Sequence, residues 1–517
     1  MKKKNDYIIS LEDFTLDFYK AMINELGLSK TWNKILEFIT DKTIEELSFN
    51  KLLSFHNLGE LYEIGLAHSN KIAKKDMGKY YTPQDVSRVM AELLLENEIT
   101  SIADVGCGTG NLIIEVLDMM KAIKGVDPID FILKGKLYLY DEDKLALKIC
   151  LKKIDVLLRA NVSSSINVIL GDFLNKKISL PAGVSVITNP PYSVIKDFKS
   201  SWSVDDILIQ AKDLYAGFIN KITDYCANAV VVSPQSYLVA AKFSNLRNKL
   251  AEKFCGEIFS FDNVPGTLFN GRKHGIFNTN SANGVRASIA SLKHIKDSKG
   301  FKLTHLIRFR TDQRNEIINL NFLKSKLGTN IQNLNKPIKA FKELEPMVHE
   351  LKNPKYLSDL IEFDRPKQNN NYKLYVSTSA RYFIVASKKA LNRSGYFTIY
   401  AKNKNSFDLL YSLLNSSYAY MWWRFSDGGI LFTKRTLYSI PYNEKLFEKI
   451  IELDNIVSSM IKSESDYVSY KLNAGKWQES IKFPEEFRQK INELLFPKYA
   501  KDMQLLHKNY EVNHEKK

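Results

Sequence analysis

The sequence predicts an α/β protein whose central part is a doubly wound, Rossmann-like sheet. Short β-branched runs alternate with helical stretches between residue 77 and about residue 300. A glycine-rich loop follows the first of these runs, at the position where open α/β sheets bind their ligands. The chain has 517 residues, which is too long for one core and indicates roughly two to four domains.

Seven β-branched runs of the central region are predicted as strands. They lie at 101–105, 136–140, 167–170, 184–188, 229–233, 257–263 and 285–292. The last two runs have no good helix between them. We therefore expect an antiparallel hairpin to close a mostly parallel sheet.

The sequence changes character twice. Residues 1–76 are predicted as a helical N-terminal segment, because apolar side chains recur at near-helical spacing. Residues 77–300 form the α/β domain, and residues 301–517 are predicted as a C-terminal α+β domain with irregular spacing. Its predicted elements are short strands at 372–376, 381–386 and 395–400 and a helix at 444–461, whose apolar face holds Leu446, Ile450, Ile451, Leu453, Ile456 and Val457.

Charge and cysteine usage narrow the function classes. The formal net charge is +16 and the pI is about 9.2, which favours a polyanionic partner, although a general Lys-rich bias gives the same numbers. The four cysteines form no CxxC pair, so we expect neither a zinc site nor a disulfide framework. No apolar run reaches the roughly 20 residues of a membrane span, and no signal peptide is recognised, so a soluble cytoplasmic protein is expected.

The glycine-rich loop contains Gly106, Gly108 and Gly110. Glycines allow tight turns and close approach of a ligand, and the N-terminus of the following helix offers free N–H groups to a carboxylate. A simple tight turn is the alternative, but the strand before the loop and the helix after it favour a ligand site. Dinucleotide enzymes and methionine-cofactor enzymes both use such a loop, so the loop alone does not distinguish them.

Acidic residues follow the next two predicted strands. Asp141 can accept hydrogen bonds from a ribose diol, with Asp143 as the second choice. A lone acid there would more often cap the helix that starts at Lys144, but the position one strand after the glycine loop favours binding. Asp172 can hold an amino group of a cofactor or a base, and a turn Asp after a glycine is an equally good interpretation of the local sequence.

Asn189-Pro190-Pro191-Tyr192 directly follows the strand predicted at 184–188. The prolines lack N–H donors and fix φ, so this loop is stiff. The Asn189 side-chain carbonyl and the Pro190 carbonyl can together accept both hydrogens of an exocyclic amine, which localises the nitrogen lone pair for attack on a sulfonium methyl group. Tyr192 offers a flat face to a base swung out of a duplex, a contact worth roughly 1–3 kcal/mol. An ordinary proline turn is the alternative.

Further segments complete the pattern. Gly78-Lys79-Tyr80-Tyr81-Thr82-Pro83 lies just before the glycine loop. Together with the motifs above, this segment makes the chain resemble the amino-DNA methyltransferases. The resemblance is specifically to the adenine-N6 group, in which the cofactor motif precedes the catalytic motif. The segment is similar to the GxYxTP element of type I modification subunits and TaqI-like enzymes, which packs over the methionine end of the cofactor. Residues 213–218 and 233–238 resemble later motifs of the family, and the resemblance covers about residues 70–295.

The resemblance implies a class I methyltransferase sheet with S-adenosylmethionine as the cofactor and no metal. It implies methyl transfer to N6 of an adenine flipped out of double-stranded DNA, by a bacterial or phage-encoded enzyme. The implied catalytic residues are Asn189, Pro190, Pro191 and Tyr192. The implied cofactor-binding residues are Tyr80, Tyr81, Thr82, Pro83, Asp104, Gly106, Gly108, Gly110, Asp141, Asp172 and Asn189.

The C-terminal region resembles the family's target-recognition domains more distantly. The similarity lies in residues 413–417, 422–424, 428–429 and 437–441. Lys434 and Arg435 are candidates for phosphate contacts, and Tyr192 is the third implied DNA contact. A solvated basic face is the alternative for the two cations, and the Trp422-Trp423 pair is more typical of a core than of a DNA surface.

Three functional hypotheses follow. The first is a site-specific DNA adenine-N6 methyltransferase of a restriction-modification or epigenetic system, monomeric or dimeric, with a possible cognate restriction endonuclease. The second is a modification subunit that needs a separate specificity subunit. The third is methylation of another nitrogen, such as a protein glutamine. Cytosine-N4 satisfies the same hydrogen-bonding logic, and a scaffold without catalysis is disfavoured by the intact motifs.

Overall fold

The structure is a computed structural model that describes residues 82–269, 285–295, 300–332, 334, 339–363, 371–380, 382–426, 431–473 and 475–507. The helical segment predicted at 1–76 lies outside the described residues, as do Tyr80 and Tyr81. The chain divides into two units. The first comprises the described residues of Met1–Lys302 with Phe309–Ser325 and Asn330–Asn335, and the second those of Leu303–Arg308, Lys326–Thr329 and Lys336–Lys517. The predicted domain boundaries stay predictions.

The strands of the described residues are numbered in chain order. They are β1 (Ile102–Val105), β2 (Leu137–Asp141), β3 (Asn167–Leu170), β4 (Val184–Thr188), β5 (Cys226–Pro234), β6 (Phe254–Phe261), β7 (Ala287–His294), β8 (Gly300–Ile307), β9 (Leu327–Ile331), β10 (Lys355–Tyr356), β11 (Lys373–Ser377), β12 (Ala386–Ser387), β13 (Tyr396–Tyr400), β14 (Pro441–Tyr442), β15 (Val468–Asn473) and β16 (Lys476–Ile481).

The α-helices are numbered in the same way. They are α1 (Gln84–Leu95), α2 (Asn111–Lys124), α3 (Pro128–Leu133), α4 (Lys144–Leu158), α5 (Asp206–Ala211), α6 (Leu214–Ile222), α7 (Ser244–Lys253), α8 (Arg314–Ile317), α9 (Leu320–Ser325), α10 (Glu345–His349), α11 (Lys404–Asn415), α12 (Ser417–Ser426), α13 (Lys434–Tyr438), α14 (Ile450–Ser463) and α15 (Glu485–Leu495).

The central sheet confirms the predicted α/β class. Within the first unit, its strand order is β3-β2-β1-β4-β5-β7-β6. Strands β1 to β5 run parallel. Strand β7 is antiparallel to both β5 and β6, so the predicted antiparallel closure is confirmed.

The parallel register brings several loops to one edge of the sheet. Asp104 of β1 pairs with Leu139 of β2 and with Ile187 of β4. Every residue of β1 and β4 is buried, as expected for central strands of a sheet covered on both faces. Because the carboxyl ends of parallel strands meet, the loops after β1, β2 and β4 lie side by side.

The predicted strand positions agree best in the parallel part. The bounds of β3 and β4 are those expected from the sequence. Strand β1 begins one residue later than predicted, and β2 is shifted by one residue at both ends. Strands β5 and β6 begin earlier than predicted, and β8 and β9 were not predicted.

The second unit combines small sheets with helices. Its three-stranded antiparallel sheet has the order β12-β11-β13, and β15 and β16 form a hairpin. Helices α11 and α12 are buried along almost their whole length. Trp422 and Trp423 are both buried, as expected for a core pair.

Two predictions in the second unit were wrong. The strand expected at 381–386 is instead β12, which begins only at Ala386, where the chain comes into register with Val376 of β11. Residue 381 lies outside the described residues. The helix expected at 444–461 begins as a 3-10 turn, Glu444–Lys449, and continues as α14. A 3-10 turn has three residues per turn instead of 3.6, so the helical face shifts, and Ile451 is 77% exposed.

No helix within the described ranges combines the length and the apolar character that crossing a bilayer requires.

The sheet order predicts unequal roles for two leucines. Leu139 on internal β2 is fully buried, whereas Leu170 on edge strand β3 is 53% exposed. Leu139→Ala should lower the free energy of unfolding by about 2–5 kcal/mol because it leaves a cavity. Leu170→Ala should cost less than about 1 kcal/mol. Urea denaturation of both variants tests this difference, and equal losses would contradict the strand order.

Candidate active site at the carboxyl edge of the sheet

The glycine-rich loop after β1 folds back onto the end of β2. The backbone N–H groups of Gly106 and Cys107 donate to the Tyr140 carbonyl at 2.7 and 3.0 Å, and Gly110 N–H donates to the Cys107 carbonyl at 2.8 Å. Gly106, Gly108 and Gly110 all have positive φ, which other residues rarely adopt. The loop is therefore a tight, internally bonded turn that leads directly into α2.

Gly110 is the position with the least room. It precedes the first residue of α2 with φ +86°, and a Cβ there would lie 2.5 Å from Cys150 Sγ of α4. The α4 helix thus approaches the loop backbone at a distance that only glycine permits.

The two acids after β2 have different structural positions. Asp141 is buried; its Oδ2 accepts from Gly108 N–H at 2.8 Å and its Oδ1 accepts from Asp143 N–H at 2.9 Å. Asp143 instead caps α4 by accepting from the N–H groups of Leu145 and Ala146. The structure therefore places Asp141, the first choice for the ribose contact, against the glycine loop. Asp143, the second choice, caps a helix instead.

Asp104 carries a buried carboxylate at the end of β1. Neither oxygen has a hydrogen-bond partner. Burial raises the pKa of Asp104 well above its usual range, and the nearby Asp141 carboxylate raises it further. The Ile113 N–H lowers the pKa, although its geometry is not that of a hydrogen bond. A buried acceptor without donors is costly, and a cationic ligand would relieve that cost. S-adenosylmethionine carries ammonium and sulfonium charges, so the residues of this edge fit the implied cofactor.

Asp172 follows β3 and is tied to a neighbouring loop. Its carboxylate accepts from Lys199 Nζ at 2.6 Å, from Trp202 Nε1 at 2.8 Å and from Leu174 N–H at 3.1 Å. Burial alone would raise the pKa of Asp172, but these hydrogen bonds outweigh it and lower the pKa. The predicted role in holding an amino group stays a prediction.

Asn189 lies beside Thr82, which the structure places at the start of α1. The Asn189 Nδ2 group donates to Thr82 Oγ1 at 2.9 Å, and the Thr82 carbonyl accepts from Asn111 Nδ2 at 3.2 Å. Thr188, just before the motif, donates its hydroxyl hydrogen to the Val105 carbonyl at 2.5 Å. These contacts bring together the Thr82-Pro83 segment, the glycine loop and the proline motif, which are distant in sequence.

Tyr192 is half-buried in an aromatic cluster. Its hydroxyl donates to the Val232 carbonyl at 3.2 Å, and its ring meets those of Tyr215 and Phe269 edge-on, with centroids 6.3 and 5.9 Å away. The Tyr215 hydroxyl is 2.7 Å from Ser236 Oγ, which joins the two later family-like segments. The hydroxyl and the two edge-on rings fix the orientation of the Tyr192 ring.

Arg314 of α8 is a residue of this region that the sequence did not single out. Its Nε and Nη2 donate to the Asp85 carboxylate at 2.5 and 2.8 Å, and Nη1 and Nη2 donate to the carbonyls of Thr267 and Leu268 at 2.8 Å. It thereby joins the start of α1 to the segment that carries Phe269. An arginine more than 200 residues away in sequence has no local signal for such a contact.

The remaining predicted residues lie in the second unit. Lys434 and Arg435 are exposed in the first turn of α13, and their phosphate contacts stay a prediction. Within the described residues, no cluster of His, Cys, Asp and Glu side chains could hold a metal ion.

Part of the chain is similar to known DNA methylases. The family model N-6 DNA Methylase matches residues 53–273, which confirms the resemblance to adenine-N6 methyltransferases. The type I restriction enzyme MjaVII methylase subunit of Methanocaldococcus jannaschii is 27% identical over 192 residues, 36% of this chain and 31% of that protein. The MpnII methylase subunit of Mycoplasma pneumoniae is 24% identical over 211 residues, 38% and 36% of the two chains.

A solved structure is similar as well. The methyltransferase subunit of a type I restriction-modification system from Streptococcus thermophilus has a TM-score of 0.37 and 15% identity, over 61% of this chain and 74% of that one. The chain spans about a third of the length of the two curated relatives, 31% and 36%.

Gly110→Ala should weaken S-adenosylmethionine binding by about tenfold or more, because positive φ costs roughly 1–2 kcal/mol and the new methyl group displaces the loop. Gly125→Ala is the matched control. Gly125 also has positive φ, at the other end of α2, but a Cβ there meets nothing within 4 Å. Calorimetric titration should show unchanged binding for the control, and equal binding by both variants would contradict the assignment of the loop.

Proposed function

We propose that this chain is an S-adenosylmethionine-dependent DNA methyltransferase that methylates N6 of adenine at specific sites. The observation that carries the proposal is the position of Asn189. Its amide lies at the carboxyl edge of the sheet, in a proline-stiffened loop, and is oriented by a hydrogen bond to Thr82. The loop that would hold the cofactor leaves the neighbouring strand β1.

The cofactor would be held by the loop after β1 and the acids beside it. The N-terminus of α2 would offer N–H groups to the methionine carboxylate, Asp141 would accept hydrogen bonds from the ribose hydroxyls, and Asp104 would balance the positive charge of the cofactor. When bound, S-adenosylmethionine supplies an electrophilic methyl group. The chain's own contribution is to orient the substrate amine towards it and to exclude water.

Asn189 and Pro190 would orient that amine. Because Asn189 Nδ2 donates to Thr82, its Oδ1 is the amide atom that would accept a hydrogen from the substrate. The Pro190 carbonyl accepts the second hydrogen. When both amine hydrogens are bonded to acceptors, the nitrogen lone pair is directed away from the two acceptors. Tyr192 would stack on the base.

DNA is the substrate that the charge and the family match favour. The net charge is +16, and a cationic surface gains affinity for DNA by releasing counterions. The family model that matches residues 53–273 is that of the N-6 DNA methylases. A protein glutamine, the third hypothesis, has no such support.

The hairpin β15–β16 of the second unit would supply part of the DNA surface. Its base is fixed, because Ile481 is buried and Asn392 and Glu479 exchange hydrogen bonds of 2.8 and 2.9 Å. Towards the tip, Leu472 and Trp477 lie opposite each other and are 55% and 63% exposed. Exposed large apolar side chains that cluster in this way mark interaction surfaces.

The charge of the hairpin tip suits DNA. Residues 470–478 contain Lys471 and Lys476 and no acid, and the apolar pair lies on the opposite face of the ribbon from both lysines. A two-stranded ribbon fits a DNA groove, and apolar side chains can insert between base steps. We therefore propose that the lysines contact phosphates while Trp477 and Leu472 contact bases.

The relatives favour a role within a restriction-modification system. Both are methylase subunits of type I restriction enzymes. The chain would then act with a separate specificity subunit or a cognate endonuclease, as a monomer or a dimer. Methylation of plasmid DNA with and without co-expressed neighbouring proteins distinguishes a modification subunit from a self-sufficient enzyme.

Asn189→Ala should lower methyl transfer from labelled S-adenosylmethionine to double-stranded DNA by about 100-fold or more, because it removes an acceptor that acts on the reacting amine. Cofactor binding should be retained. Asn161→Ala, at an exposed position, is the control and should keep wild-type activity. If folded wild-type protein that binds the cofactor transfers no methyl group to any DNA, either alone or with its co-expressed neighbouring proteins, the proposal fails.

Trp477→Ala should weaken DNA binding by about 5- to 150-fold, the equivalent of one lost stacking contact. Ile451→Ala is the control, since Ile451 is also an exposed apolar residue of the second unit. Fluorescence anisotropy with a labelled duplex measures both. Unchanged DNA affinity in Trp477→Ala would refute the assignment of the hairpin. So would a variant that binds DNA normally but no longer self-associates.

A further inference from the structure

Lys153 is a buried lysine of α4 beneath the glycine loop. Its side chain is almost completely inaccessible to solvent, and its Nζ donates to Asn111 Oδ1 at 3.0 Å. Burial lowers the pKa of Lys153 to about 8, while the neighbouring Cys150 and Glu115 act to raise it. Burying an ammonium group costs free energy that an apolar side chain of similar length would avoid. The hydrogen bond to Asn111 is a specific interaction that such a side chain would lose.

The bond to Asn111 fixes which way the amide of that residue faces. Because Oδ1 accepts from Lys153, the Nδ2 group is directed to the Thr82 carbonyl, at 3.2 Å. An amide rotated by half a turn would present its NH2 group to an ammonium group, and two donors cannot bond each other. Lys153 therefore determines which atom of Asn111 meets the Thr82 backbone.

Thr82 passes this constraint to the candidate catalytic residue. Its carbonyl accepts from Asn111, and its hydroxyl oxygen accepts from Asn189 Nδ2 at 2.9 Å. Three hydrogen bonds in series thus connect Lys153 to Asn189 through α2 and the start of α1. Both ends of the series lie in the first unit.

We propose that Lys153 is a positioning residue for methyl transfer: through Asn111 and Thr82 it holds the Asn189 amide so that its carbonyl oxygen faces the substrate amine. The proposal rests on the proposed function for its effect on turnover. The orientation of the Asn189 amide, which is the structural part of the proposal, can be tested without any DNA methylation. Without the series, Thr82 is not held where its hydroxyl accepts from Asn189 Nδ2. The Asn189 amide can then rotate and direct its NH2 group, a donor, at a substrate amine that also donates.

The Glu115 carboxylate supports the charge of Lys153. Gln84 Nε2 donates to Glu115 Oε1 at 3.2 Å, and Glu115 is buried near the ammonium group. Gln84 is the first residue of α1, two positions after Thr82. The acid beside Lys153 is therefore itself bonded to the segment that the lysine helps to position.

Lys153→Met tests the proposal, because methionine keeps the length and apolar stem but donates no hydrogen bond. Lys148→Met is the control, since Lys148 is exposed on the same helix. We expect kcat for DNA methylation to fall about 10- to 100-fold in Lys153→Met, while the Kd for S-adenosylmethionine changes less than about threefold. The control should match wild type in both.

A double-variant comparison separates positioning from general destabilisation. Asn111→Leu breaks the series at its next member, so Lys153→Met should reduce kcat little further when added to Asn111→Leu. Independent, additive losses would overturn the proposal. So would a wild-type kcat in Lys153→Met, or a loss of cofactor binding that parallels the loss of kcat.

A spectroscopic readout does not depend on the substrate. In protein labelled with 15N-asparagine, the Asn189 side-chain NH2 signal is identified by its absence in Asn189→Ala. It should shift in Lys153→Met and stay unchanged in Lys148→Met. If the wild-type protein methylates no DNA, the proposed function fails, and this signal still decides whether Lys153 orients Asn189: an unchanged signal would contradict the positioning role.

Discussion

The hydrogen bond from the Asn189 amide to the Thr82 hydroxyl is the interaction on which the candidate site depends. It joins two residues that are 107 positions apart in sequence. Because Nδ2 is the donor to Thr82, the amide oxygen is directed away from that hydroxyl. The chemistry requires an acceptor there, since a donor would repel an amine. Everything else at this edge of the sheet either holds these two residues in place or builds the neighbouring cofactor site.

The sheet provides the rigid frame for that bond. Strands β1 and β4 are neighbours, and their buried residues fix the loops that carry Gly106 and Asn189 relative to each other. Helix α4 approaches so closely that Gly110 has no room for a side chain. The same helix carries Lys153, so it both contacts the glycine loop and donates to Asn111 at the start of α2. Burying Asp104 and Lys153 costs free energy of folding, and both residues lie near the place where cofactor and substrate would meet.

The sequence predicted the parts of this site that local pattern encodes. Strands β3 and β4 are short β-branched runs bounded by turn residues, so their limits could be read directly. The glycine loop and the proline motif have fixed spacing and specific chemistry. Asp141 could be placed because it follows a strand one step after the loop.

Tertiary contacts lay beyond local pattern. Nothing in the sequence marks Lys153 among the lysines of α4, or Arg314 as the partner of Asp85, because each contact joins distant segments. The phase of α14 was missed for a related reason: the preceding 3-10 turn rotates Ile451 out of the core. In the sequence, the apolar residues of the hairpin β15–β16 resemble an irregular core pattern. Only the strand register shows that they lie exposed on one face of the hairpin.

The identity of the methylated nucleoside is the most direct test of the account. Duplex DNA incubated with the protein and S-adenosylmethionine can be digested to nucleosides and analysed by mass spectrometry. The account predicts N6-methyladenine, absent when Asn189→Ala replaces the wild-type protein. N4-methylcytosine as the product, or N6-methyladenine formed equally well by Asn189→Ala, would contradict it.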